Sequence, residues 1–281
     1  MGLKCLIEKQ KYKSKVSAKP KSQDKKSPTT HSREPLANIY QTHSENKMTV
    51  VNLENLEGLP KKYCDELEKF DNLFRTHRFL EHYEHNQDIN NLIYEINNYC
   101  LKNEIIGFHY TNAIETDILE KGMIIRSGNE IRNDFRNKYF HLFDKSEQIL
   151  IEEKWNQRFG QKDTESRDFR TFFNFTKDAL ENGGAELLLK YYGGEQVYFP
   201  LFDLSSIGEK LTKIGKPMIL KCTLDPNDIM TFIENPWGKI IVSSYSRKIN
   251  PNTYQIDQDG YQKKGVKSKK IEIINAKKYV C

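Results

Sequence analysis

The five cysteines of this 281-residue chain, Cys5, Cys64, Cys100, Cys222 and Cys281, stand far apart, and none belongs to a C-x-x-C pair. That spacing argues against a zinc site and against the disulfide framework of a small secreted domain. No run of eighteen apolar residues occurs, and the Lys-rich start has no apolar stretch like that of a secretory signal. Neither a membrane span nor signal-peptide export is therefore expected, and a reducing cytoplasm is the expected home. The chain also lacks G-x-G-x-x-G, a Walker A loop and H-E-x-x-H, which removes the common cofactor, phosphate-loop and metal fingerprints. No internal repeat of solenoid period is visible.

What is present is enough apolar sequence for one substantial core: 37% hydrophobic residues beside 30% charged ones. The net charge of +5 is unevenly placed. Residues 1–47 hold ten Lys and one Arg against four acids, a balance of +7, which leaves about −2 for the rest. A nucleic-acid binder needs basic groups on its folded surface as well as in a tail, so this distribution argues against a uniformly basic binding protein. Residues 1–50 read as a disordered basic tail, rich in Lys, Ser, Gln, Pro and Thr, with too few apolar residues to offset the entropy of ordering. Met1-Gly2 followed by Cys5 hints at an acylated terminus, but Leu6 stands where the myristoylation pattern wants Ser or Thr.

Residues 51–103 form a helical brace in this reading. Leu59, Tyr63, Leu67, Phe70, Leu73 and Phe74 recur at helical spacing, as do Leu80, Tyr83, Ile89, Leu92, Ile93, Ile96 and Tyr99. From residue 104 the pattern changes. EIIGFHYT is a short apolar run that predicts a strand, and IETDILEKG predicts a helix ended by Gly122. WNQRFG is a helix end and RTFFNFT a β-rich run. The ALENGGAELLLKYYGGEQVYFPLF stretch predicts a short helix between two Gly-Gly breaks and then a strand over 196–202. Strands are also expected at KPMILKCTLDP, KIIVSSYS and KIEIINAKKYV, with residues 250–270 as a polar excursion. Irregularly connected strands and helices of unequal length predict an α+β fold, with residues 104–281 as its main domain.

Candidate chemistry centres on GFHYTN. Alternation puts His109 and Thr111 on one strand face and Tyr110 on the other, in the core. FHYTN followed by a helix ending in LEKGM resembles the first strand and helix of the ADP-ribosyltransferase superfamily, in its His-Tyr-Glu branch, and FFNFT resembles a later strand. The resemblance covers about half of the chain, Glu104 to Ser246, and rests on short motifs. It implies a split β-sheet core, NAD as substrate, and transfer of ADP-ribose to a protein or nucleic-acid acceptor, or hydrolysis of NAD. It also implies a bacterial toxin, effector or defence setting, with activity in the cytoplasm or in a host cytosol.

Under that resemblance His109 hydrogen-bonds a ribose with Thr111 in support, and Arg126 in the loop after the first helix contacts the pyrophosphate. A tyrosine stacks on nicotinamide; Tyr191, Tyr192 and Tyr198 all qualify, with Phe175 behind them. The reaction needs a carboxylate beside the charge that develops as nicotinamide leaves. Glu195 in YYGGEQVYF is the first choice and Glu234 in FIENPWG the reserve. The family ordinarily carries this glutamate on a later strand, and no Q-x-E pair occurs here.

A rival lies in RNKYFH, whose R-N-x-x-x-H pattern resembles HEPN-type ribonucleases. On one helix Arg136 and His141 stand about 140° apart, and that family is all-helical. A third reading is a non-catalytic interaction module on the same α+β fold. Cys222, mid-strand among apolar residues, reads as a core thiol. His77, His82 and His85 fall among charged residues and read as exposed helix, with no metal expected.

Overall fold

The computed structural model describes residues 48–83, 85–160 and 167–280; the basic stretch 1–47 lies outside them. The chain opens with a short strand β1, Val50–Val51, followed by helices α1 (Lys61–Glu68), α2 (Asp71–Thr76) and α3 (Gln87–Cys100). Asn86 caps α3, its side chain accepting from the amides of Asp88 and Ile89, and Ile89, Leu92, Ile93, Ile96 and Cys100 form its buried stripe. These spacings put one apolar face on the core, and the buried Asn97 is satisfied there by accepting from the Trp237 amide at 3.2 Å.

Next come β2 (Glu104–Ala113), α4 (Glu115–Lys121), α5 (Gly128–Tyr139) and α6 (Lys145–Phe159). Both α5 and α6 start with a complete capping box, Ser127 with Glu130 and Asp144 with Glu147. Each box satisfies two backbone donors at a helix start that no helical carbonyl reaches. Beyond them lie β3 (Thr171–Phe173), α7 (Asp178–Glu181), α8 (Glu186–Lys190), α9 (Glu195–Tyr198), α10 (Ser205–Thr212), β4 (Lys216–Leu224), α11 (Pro236–Ile249), β5 (Gly260–Gln262) and β6 (Ile271–Asn275).

The main sheet runs β1-β2-β4-β6, with β1 parallel to β2 and the other pairs antiparallel; β3 and β5 form a separate two-stranded sheet. The architecture is α+β, as expected. One face of the main sheet carries Ile105, Met218, Leu220, Cys222 and Leu224 into a core shared with α1, α3 and α11, so the helical brace and the sheet pack into one apolar cluster. The other face presents Ile106, Phe108, Tyr110 and Ile219 to Ala179 and Leu189 of α7 and α8. A second layer of α5, α6, α9 and α10 has its own core around Trp155, Phe135, Val197 and Leu211.

Two sequence expectations are corrected. Residues 196–202 are not a strand: α9 and the turn after it occupy them, with the amides of Val197 and Tyr198 both bonded to Gly194 O at 3.0 Å. Val197, Tyr198 and Leu201 are the buried positions, a spacing of one helical turn that a strand cannot make on one face. KIIVSSYS is not a strand either. It is the middle of α11, which begins on Pro236 and buries Trp237, Ile240, Ile241 and Ser244. Gly238 lets α11 cross α3 closely, since a Cβ there would overlap the Ile93 carbonyl, and this tertiary burial overrides the β preference of Ile-Ile-Val. The excursion over 250–270 also carries β5, which gives β3 its partner.

Gly122 ends α4 at φ 69°, ψ −155°, a backbone state open in practice only to glycine. A Cβ there would also overlap Val266 O, whereas Gly183, at φ 82°, has open space around its Cβ position. Gly183→Ala is expected to cost about 1–2 kcal/mol from its left-handed backbone alone, roughly 2–8 °C in Tm for a domain of this size. Gly122→Ala should lose at least twice as much in thermal denaturation; equal losses would show that the Val266 contact relaxes freely.

Candidate functional site

Strand β2 is the longest among the described residues, and β1 covers only its first two residues, Glu104 and Ile105, on the edge away from β4. Further along, that edge is met by two isolated bridges, Phe108 with Asn174 and Asn112 with Tyr192. The first is a reciprocal backbone pair at 2.7 and 2.9 Å, and the second places Gly193 N at 3.3 Å from Asn112 O. His109, Tyr110 and Thr111 lie between these two staples. Their side chains alternate as the sequence indicates. Tyr110 is buried and donates its hydroxyl to Thr176 O at 3.3 Å, while His109 and Thr111 are partly exposed.

His109 lies where two clefts meet. The first, about 380 Å³, is bounded by His109, Thr111, Arg126, Arg170, Tyr192 and the Gly193-Gly194 pair. The second, about 550 Å³, is bounded by His109, Asp178, Glu195, Asp257 and Asp259. The imidazole is fixed by Nδ1, 2.9 Å from Phe172 O, and by an edge contact with the Phe173 ring at 6.0 Å. A carbonyl only accepts, so Nδ1 carries the hydrogen and Nε2 of the neutral ring is an acceptor. Burial pushes the His109 pKa below the ordinary value, with the Phe172 carbonyl opposing that shift. The site thus presents a neutral acceptor suited to a hydroxyl donor.

Gly193 and Gly194 are both left-handed, at φ 88° and 68°, and they turn the chain from the edge of β2 into α9. The next residue, Glu195, lines the second cleft, as His109 does, with its carboxylate paired to Arg167. Arg126 stands on the rim of the first cleft, its Nη1 3.2 Å from Asp134. Lys138 bonds Asp134 at 3.1 Å and Lys121 bonds Asp117 at 2.7 Å, so charges of both signs alternate along this rim. Lys121 holds the Asp117 carboxyl below the usual range, its hydrogen bond outweighing a small desolvation effect.

The tyrosines divide differently from the sequence expectation. Tyr191 and Tyr198 stack on each other at 5.7 Å and belong to the second-layer core, lining neither cleft; burial pushes the Tyr198 phenol up to about 12. Tyr192 is the tyrosine in the wall of the first cleft, its hydroxyl 3.3 Å from that of Tyr139. Phe175 is fully buried against Trp237 at 4.7 Å, and Glu234 is exposed on the loop before α11, in neither cleft.

In RNKYFH, Arg136 is committed to Glu152, with Nη2 2.7 Å from its carboxylate, and lies over the Trp155 ring at 5.2 Å. His141 follows on an exposed 3-10 turn. Cys222 is buried in β4, where burial pushes its thiol up to about 12.

Two groups that the sequence did not single out also line the clefts. Asp257 accepts from Asn174 Nδ2 and Thr176 N, both at 3.0 Å, and burial pushes its pKa up. Arg170 lines the first cleft immediately before β3. Neither carries a local signal, because each reaches the site through the β3–β5 pairing. Comparison of the chain with known protein families, with characterised proteins and with solved structures gives no match.

The lowered His109 pKa has a pH signature. A folded ring that is harder to protonate than the unfolded one contributes stability fully present above the ordinary value, 6.5. That contribution is lost as pH falls through the lower folded value. NMR titration should place the His109 midpoint below 6.5 with Nδ1 protonated. His109→Gln should reduce the stability lost between about pH 7 and pH 5, as read by urea unfolding. A midpoint at or above the ordinary value would overturn the assignment.

Proposed function

We propose that the two clefts flanking His109 together bind NAD, and that this is an ADP-ribosyltransferase-like protein that transfers ADP-ribose to an acceptor or hydrolyses NAD. The observation that carries this reading is the His109 imidazole: neutral, held through Nδ1, and offering an Nε2 acceptor at the junction of two clefts. Ribose hydroxyls are the matching donors, whereas a phosphate would call for a protonated ring. Thr111, on the same strand face in the first cleft, supplies a hydroxyl beside it.

Glu195 takes the carboxylate role in this reading. It shares the second cleft with His109 and follows directly on a pair of glycines that bring the backbone close. Its part is to accept from a ribose hydroxyl and to stabilise the positive charge that develops on the sugar as nicotinamide departs. Arg167, its partner in the structure, orients the carboxylate until a substrate hydroxyl competes for it. Of the three tyrosines that qualify by sequence, Tyr192 takes the aromatic position, because among them it alone lines a cleft. The sheet that carries His109 on β2, with an edge open between two staples, supports the split-sheet expectation. The ribonuclease reading gains nothing from the geometry. Arg136 is already neutralised by Glu152, and a four-stranded sheet is foreign to an all-helical bundle.

Incubating the purified chain with NAD should release nicotinamide. Glu195→Gln is expected to lower the rate by about a hundredfold or more, with His109→Gln also strongly reduced and Glu234→Gln unchanged. Absence of both release and an NAD-induced thermal shift in the wild type would sink the reading. A shift without release would leave a non-catalytic binding module.

A further inference from the structure

Arg170 is held in an unusual way. Its guanidinium carbon lies 4.5 Å from the ring centroid of Tyr261, the residue that faces Phe172 across β3 and β5. The Tyr261 ring is itself set against the Phe172 ring at 5.3 Å. No described residue gives Arg170 a hydrogen bond or an ion pair, and its Nε is buried without a partner. A buried donor left unmade is costly, and native proteins keep few of them. Here an aromatic platform holds a cation in place with its hydrogen-bonding fork unspent.

The other arginines of the two clefts differ. Arg126 is paired with Asp134 on the rim of the first cleft, and Arg167 with Glu195 in the second. Arg170 alone among the cleft-lining arginines of the described residues has no carboxylate, and it stands in the same wall as His109 and Thr171. A planar, permanently charged fork stacked on an aromatic ring is preorganised for two-point contact with phosphate oxygens.

We infer that Arg170 is the phosphate-binding residue of the first cleft, gripping the pyrophosphate of a nucleotide whose ribose hydroxyl donates to His109 Nε2. Arg126, the residue expected there from its place in the chain, is left as a rim charge. Tyr261 acts as a positioning residue that fixes the plane of the guanidinium. The inference rests on the nucleotide reading of the site, but it needs no nicotinamide and no catalysis, so the two can fail separately.

The test is a binding series by calorimetry with NAD, ADP, inorganic pyrophosphate and nicotinamide riboside, which has no phosphate. In the wild type, NAD, ADP and pyrophosphate should bind, more weakly as salt rises. Arg170→Gln should weaken those three by about tenfold or more, while Arg126→Gln changes them by less than about threefold. Any affinity for the riboside should be unaffected by Arg170→Gln. Should Arg170→Gln fail to fold, Arg170→Lys serves, because it keeps the stem and charge and loses only the fork; a loss of about threefold or more is expected. Tyr261→Leu should weaken ADP and leave the riboside alone.

NAD binding that survives Arg170→Gln undiminished would overturn the inference and spare the NAD reading. Equal weakening of NAD and riboside would also overturn it, by showing general damage to the cleft. Binding of ADP and pyrophosphate that depends on Arg170, without binding of NAD, would uphold the inference and sink the NAD reading. Wild-type protein that binds none of the three would sink both.

Discussion

Everything at the site depends on how the free edge of β2 is closed. A long strand paired on one side only leaves a row of backbone donors and acceptors unmet, and proteins shield such edges in one way or another. Here β4 takes one edge from Ile105 to Ala113, while the other is met in three short pieces: β1 at the start, Asn174 at Phe108 and Tyr192-Gly193 at Asn112. The stretch between the last two pieces is where His109 and Thr111 stand. Had a full strand paired there, the chain segments that wall the two clefts would have been displaced. The incomplete pairing is what makes room for the two clefts.

This frame explains how much could be read in the sequence. Strand β2, helix α4 and its glycine stop, and strand β4 are local patterns, and alternation alone separated Tyr110 from His109 and Thr111. The capping boxes of α5 and α6 were equally local, in the Ser127-x-x-Glu130 and Asp144-x-x-Glu147 spacings, and mark helices that charge and aromatic content obscured. By contrast, Ile240, Ile241 and Val242 look like a strand in isolation. Only the fit of Gly238 against α3 makes a helix of them. Arg170 and Asp257 depend on residues tens of positions away, so no spacing rule reaches them. Glu195 is legible as the carboxylate that follows a Gly-Gly pair, yet the same glycines start a helical turn where the sequence predicts a strand.

The electrostatic character of the site changes across His109. One side offers lysine and carboxylate groups interleaved on α4 and α5, with Arg126 between those helices and Arg170 before β3; the other gathers Asp178, Glu195, Asp257 and Asp259 around the single Arg167. Between them the His109 ring stays neutral because burial disfavours its charged form, and the Phe172 carbonyl only partly opposes that shift.

The bond from His109 Nδ1 to Phe172 O joins the central strand to the two-stranded sheet. The same small sheet carries Tyr261 beneath Arg170. Imidazole orientation and guanidinium orientation are therefore both set from the β3–β5 pair rather than from the main sheet alone, so the small sheet fixes how the two groups stand relative to each other.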